Sequence, residues 1–129
     1  MAKILMIDDD RDLVASMKIL LEAHGHEFHA MPNGEAGLRA VREISPDLIV
    51  LDVMMETGTA GFHVAYQVRK DPNYAKTPIL MLTAIHQTTP LRFSPETDGE
   101  FLPVEKLLDK PVPADVLLAE VAHLLGSAE

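Results

Sequence analysis

The stretch Lys3-Ile4-Leu5-Met6-Ile7-Asp8-Asp9-Asp10 runs four successive apolar residues straight into three aspartates. Continuous rather than alternating apolarity, at strand length, marks a parallel strand covered on both faces. Three further runs have the same form: Leu48-Ile49-Val50-Leu51, Ile79-Leu80-Met81-Leu82 and the weaker Leu107-Leu108. Glu27 to Met31 alternates instead, with Phe28 and Ala30 set among residues of mixed character, which suits an edge strand with one wetter face.

Helical patterns lie between these runs. Leu13, Val14, Met17, Leu20 and Leu21 recur at three- and four-residue steps, and Gly25 follows as a helix-ending glycine. Asn33 is placed to cap a second helix carrying Leu38, Val41 and Ile44, which Ser45-Pro46 ends. Phe62, Val64, Ala65 and Val68 make a third pattern that stops at Asp71-Pro72. Pro113 in the first turn, then Val116, Leu117, Val121, Leu124 and Leu125 with Gly126 behind, define the last helix. The stretch from Ala84 to Glu105 breaks the rhythm, because Pro90, Pro95 and Pro103 interrupt it; a fourth helix there is expected to be short or replaced by loop. Strand-helix alternation along the whole chain predicts an α/β fold, a doubly wound parallel sheet with helices on both faces.

A chain of 129 residues can bury one core without staples, so residues 1–129 are expected to form one domain. Eleven basic against twenty acidic side chains give a net charge of −9, which repels nucleic-acid phosphates and anionic lipid. The absence of cysteine excludes disulfides, thiolate metal sites and a cysteine nucleophile. No apolar run approaches the roughly 18 residues of a membrane span, and the first is too short for a signal peptide. The composition points to a soluble cytoplasmic protein with no membrane insertion and no nucleic-acid partner.

Chemistry in an open α/β sheet gathers outside the carboxyl ends of the strands. Here the first strand runs into Asp8-Asp9-Asp10, the third into Asp52, the fourth into Thr83 and the fifth into Lys110-Pro111. Neighbouring strands are about 4.8 Å apart, so Asp8, Asp9 and Asp52 should converge. Carboxylates that close repel unless protons or a cation intervene. An oxygen-only ligand set suits Mg²⁺ rather than zinc. A strand-end carboxylate can also act as a nucleophile and form an acyl phosphate. Lys110 and Mg²⁺ would supply the cations that phosphoryl transfer needs, and the Thr83 hydroxyl could donate to the new phosphoryl oxygens.

The order of these residues resembles the receiver domain of two-component response regulators of the chemotaxis-regulator type. It is carried by Lys3-Ile-Leu-Met-Ile-Asp-Asp-Asp10, Asp47-Leu-Ile-Val-Leu-Asp-Val-Met-Met55, Pro78-Ile-Leu-Met-Leu-Thr-Ala84 and Leu107-Leu-Asp-Lys-Pro-Val112. The resemblance implies a five-stranded flavodoxin-like sheet of order 2-1-3-4-5 and a stand-alone receiver with no output domain. It also implies that Asp52 accepts a phosphoryl group from a histidine kinase or histidine phosphotransfer protein. Asp9 would ligate Mg²⁺ directly, Asp8 nearby or through water, and Met54 through its backbone carbonyl. Lys110 would pair with the phosphoryl group, Thr83 would swing toward it, and the Lys110-Pro111 bond is expected to be cis.

Several positions depart from that pattern. Glu56 stands where a proline is usual, and Gly61 comes one residue late. Leu107 replaces the usual switch aromatic, so the Thr83 and Leu107 pair is expected to signal differently. Met54 and Ile85 are apolar where side chains flank the incoming water, which predicts slow loss of the phosphoryl group and at most slow autodephosphorylation. Phe93, Phe101 and Leu102 offer a substitute docking surface, so a downstream protein is expected on residues 84–105 and the last helix. The competing readings are a phosphorylation-independent receiver-like binding module and a haloacid-dehalogenase-type phosphatase built on Asp8-x-Asp10. The phosphatase reading lacks a cap segment and leaves Asp52 unexplained. His24, His26 and His29 straddle a turn and an edge strand and are expected to be surface histidines rather than a metal site.

Overall fold

The computed structural model describes residues 2–52, 60–83, 104, 106–110 and 112–127. Along the chain they form β1 (Lys3–Ile7), α1 (Arg11–Ala23), β2 (Glu27–Met31), α2 (Gly34–Ile44), β3 (Leu48–Asp52), α3 (Ala60–Lys70), β4 (Ile79–Thr83), β5 (Lys106–Asp109) and α4 (Ala114–Ser127). The five strands pair in parallel in the order β2-β1-β3-β4-β5, as expected. β1 and β3 therefore lie side by side where the winding direction reverses, which is where such sheets open a ligand crevice.

The pleat sends alternate strand residues to two separate cores. Leu5, Ile7, Ile49, Leu51, Ile79 and Met81 face Ala40 and Val41 of α2 and Val64, Ala65 and Val68 of α3. Ile4, Met6, Leu48, Val50, Leu80 and Leu82 face Met17 and Leu21 of α1 and Leu117, Val121 and Leu124 of α4. Every apolar residue of the three central runs is thus buried, which accounts for their continuous rather than alternating pattern. β2 is half-buried along its whole length, as an edge strand should be. No helix among the described residues is long and apolar enough to cross a membrane.

The helix ends follow from local chemistry. Asn33 caps α2 by accepting the Ala36 N–H at 2.8 Å, and Gly25 closes α1 with φ 84°. The last helix differs from expectation at both ends. Pro113 precedes its first residue and accepts the Leu117 N–H at 3.0 Å, and the helix runs on through Gly126 instead of stopping before it. A glycine past the last core residue permits a left-handed turn without requiring one. The expectation of a short or missing fourth helix falls on residues 84–103, outside the described residues.

Ser45 ends α2 in the left-handed region, with φ 52° and ψ 66°. A side chain there is strained where glycine is not. Ser45→Gly is expected to raise stability by about 0.5–1 kcal/mol, read as a higher urea midpoint at unchanged slope. A lower midpoint would mean that the Ser45 hydroxyl, 3.4 Å from the Tyr74 hydroxyl, contributes more than the strain costs.

Candidate functional site

The β1–β2 ladder continues one residue past β1, with Asp8 N–H donating to the Met31 carbonyl at 3.1 Å. This fixes Asp8 at the carboxyl edge, beside Asp52 at the end of the neighbouring β3. Among the described residues these are the two buried polar side chains, at 2% and 4% exposure. Asp9 is exposed and joins them: carboxylate oxygens of Asp8, Asp9 and Asp52 all lie within 4.8 Å of one another. Lys110 follows β5 and reaches back over the edge, its Nζ 3.1 Å from Asp8 Oδ2 and 3.5 Å from Asp52 Oδ1. Beside it lies a cavity of about 320 Å³ walled largely by Leu13, Met17, Leu82, Val112 and Leu117, so an apolar side-chain stem delivers a charged head to the acids.

The electrostatics follow from burial. Leaving water would by itself lower the Lys110 pKa, but attraction to Asp8 and Asp52, with their hydrogen bonds, outweighs that and raises it above the ordinary lysine value. Lys110 is therefore charged at neutral pH. One ammonium against three carboxylates still leaves two negative charges together, on an oxygen-only set. That is the donor chemistry of a hard divalent cation.

The expected convergence of Asp8, Asp9, Asp52 and Lys110 is present. Thr83 closes β4 opposite Asp109, which puts its backbone on the same edge, whereas its hydroxyl lies outside what is described. Met54, Glu56, Ile85, Phe93, Phe101, Leu102 and Pro111 lie outside the described residues, and with them the metal carbonyl, the cis bond and the substitute docking surface. Leu107 is partly buried against the core under α2 and α3.

Two contacts were not anticipated. The Asp10 N–H donates to Asp8 Oδ1 at 2.9 Å, a local turn that an Asp-x-Asp sequence could have signalled. Glu27 and His29 meet at 2.6 Å, which their common side of β2 allows. Among the described residues the histidines form no metal-ligating group. His26 is instead half-buried, its Nδ1 without a hydrogen-bond partner among the described residues, and burial lowers its pKa.

A family model described as the response regulator receiver domain matches residues 4–122. The chain belongs to the response regulator receiver family. Its relatives include PilH of Pseudomonas aeruginosa, 30% identical over 129 residues, with 98% of this chain and 99% of PilH aligned. The transcriptional regulatory protein AfsQ1 of Streptomyces coelicolor is 33% identical over the whole chain, which spans only 53% of AfsQ1. Among solved structures, the chemotaxis protein CheY4 of Vibrio cholerae superposes with a TM-score of 0.81 at 30% identity, covering 96% of this chain and 98% of that one. The receiver domain of Francisella response regulator 1452 does so at 0.81 and 26% identity, covering 100% of both chains. Receivers are signalling modules of two-component systems and generally not enzymes, and they typically bind Mg²⁺ in an acidic pocket of the kind formed here by Asp8, Asp9 and Asp52.

Proposed function

We propose that this receiver acts as a stand-alone cytoplasmic response regulator that takes a phosphoryl group on Asp52 and thereby changes its binding to a protein partner. The supporting observation is the meeting of Asp8, Asp9 and Asp52 under the Lys110 ammonium at one strand edge. The match to nearly the whole of PilH favours a single-domain regulator over a piece of a transcription factor.

The donor is a histidine kinase or histidine phosphotransfer protein. An Asp52 carboxylate oxygen bonds to phosphorus as the phosphorus–nitrogen bond of the phosphohistidine breaks, and the departing imidazole nitrogen takes up a proton from water. Lys110, already held within 3.5 Å of Asp52, shifts its ammonium from the acids to the incoming phosphoryl oxygens. Thr83, at the neighbouring strand end, donates its hydroxyl to the phosphorylated aspartate and starts the change that the 84–105 stretch, Leu107 and α4 pass to a downstream protein. Asp8 and Asp9, with Asp52 and the Met54 carbonyl, would hold Mg²⁺, which when bound offsets the negative charge shared by the carboxylates and the phosphoryl group. The product persists, because Met54 and Ile85 offer no polar group to orient an attacking water.

Intact mass after incubation with acetyl phosphate tests this. The expected result is one added phosphoryl group that requires Mg²⁺, decays slowly, and is absent from Asp52→Asn. No addition under any condition would support the phosphorylation-independent binding module instead.

A further inference from the structure

Asp10 lies outside the set of converging carboxylates yet touches it through its backbone. It is the N-cap of α1, with φ −83° and ψ 99°, and its Oδ1 accepts the N–H groups of Asp12 and Leu13, each at 3.1 Å. Its carbonyl accepts the Val14 N–H at 3.0 Å. Its own N–H points the other way, to Asp8 Oδ1 at 2.9 Å, while Asp8 Oδ2 takes Lys110 Nζ at 3.1 Å. The Asp8 side chain has no solvent exposure, so no water can replace a lost donor without rearrangement.

We propose that Asp10 is a positioning residue: by capping α1 it locks its own N–H onto Asp8, and so decides which Asp8 oxygen faces Lys110 and how the acids present themselves to a cation. The part concerning a cation rests on the phosphoacceptor reading above. Without the capping oxygen the first turn of α1 loosens, the residue-10 amide loses its aim, and Asp8 is free to rotate. Asp10 acts through Asp8, as outer partners of metal-holding carboxylates do. Its charge is incidental to this role, because the capping oxygen alone supplies the hold.

Calorimetric titration of the whole chain with Mg²⁺ separates the possibilities, with thermal melting confirming that each variant is folded. Asp10→Ala is expected to weaken Mg²⁺ binding about tenfold. Asp10→Asn and Asp10→Ser, which cap well and carry no charge, should return it to within about threefold of wild type. Unchanged affinity in Asp10→Ala, or equal losses in Asp10→Ala and Asp10→Asn, would overturn the proposal, the second by showing that charge alone matters. Amide exchange at residue 10 in metal-free buffer gives a readout that needs no cation. Slow exchange in wild type and Asp10→Asn but fast exchange in Asp10→Ala is expected, and equal rates in all three would again overturn it. A wild type that binds no Mg²⁺ would count against the phosphoacceptor reading, while the exchange rates still decide whether Asp10 aims at Asp8.

Discussion

Lys110→Met is expected to destabilise the protein by about 3 kcal/mol in buffer free of divalent ions, because it removes one partner of a buried charge cluster and leaves the others uncompensated. Methionine keeps the length of the stem and suits the cavity beside Leu13, Met17 and Leu117, so the loss isolates the ammonium. That ammonium stands 3.1 Å from an Asp8 oxygen and 3.5 Å from an Asp52 oxygen, on side chains with 0% and 5% exposure. The sign of the pH dependence follows from the raised Lys110 pKa. A base held more tightly protonated in the folded state stabilises fully below its unfolded value, near the ordinary 10.5, and loses that contribution as pH rises through the folded value. The difference in unfolding free energy between wild type and Lys110→Met should therefore be constant from neutrality to about pH 10 and narrow above it. Urea unfolding at several pH values measures it. A difference that is absent at neutral pH, or that does not narrow at high pH, would show that the lysine does not hold the acids together.

The second large effect is expected on the opposite face of the sheet, where α2 lies against β1. A Cβ built on Gly37 would stand 2.5 Å from Ile7 Cδ1, 2.8 Å from Cγ1 and 2.9 Å from Cγ2. Ile7 is fully buried, so any swing aside must displace its core neighbours. Alanine gains about 1 kcal/mol of helix propensity, but crowding of this kind at a packed core costs more, and Gly37→Ala is expected to lose about 2 kcal/mol net. Ile7→Val removes the Cδ1 carbon, so the double variant should be more stable than the two single losses predict, with a coupling of about 1 kcal/mol. Chemical unfolding of the four proteins completes the cycle. A gain in stability from Gly37→Ala alone would mean that helix propensity prevails and that the close approach carries no cost. Ile7 immediately precedes Asp8, so crowding there should also weaken cation binding by the acidic site.

Much of this fold is legible because residues buried on both sides cannot alternate. Ile4 to Ile7, Leu48 to Leu51 and Ile79 to Leu82 declare themselves as central strands, and the order of the strands came from the family pattern around Asp9, Asp52, Thr83 and Lys110 rather than from periodicity. The acidic cluster is legible for a related reason, since parallel strands leave their carboxyl ends on one edge whatever the helices do. Side-chain choice within the cluster is not. Whether Lys110 sits nearer Asp8 or Asp52 is a matter of rotamers, and sequence spacing says nothing about rotamers. Asp10 reads as a helix cap, yet its amide's bond to Asp8 depends on backbone angles. Gly37 looks in sequence like any helical glycine, and only the approach of α2 to Ile7 sets it apart. Gly126 misleads in the other direction, as a stop signal inside a helix that goes on.

The strand order has a consequence for how the chain assembles. Asp52 ends the central strand β3 and Asp8 follows its neighbour β1, while Lys110 follows β5 at one margin, with β4 between β5 and β3. Pairing β1 with β3 drives the carboxylates together, and their countercharge arrives only when β5 docks at the margin. Any route that completes the centre first passes through a state in which the acids repel unrelieved, so docking of the last strand carries a reward felt two and three strands away. The margin of the sheet, which has a neighbour on one side only, is in this way tied to its middle by charge as well as by its ladder of hydrogen bonds.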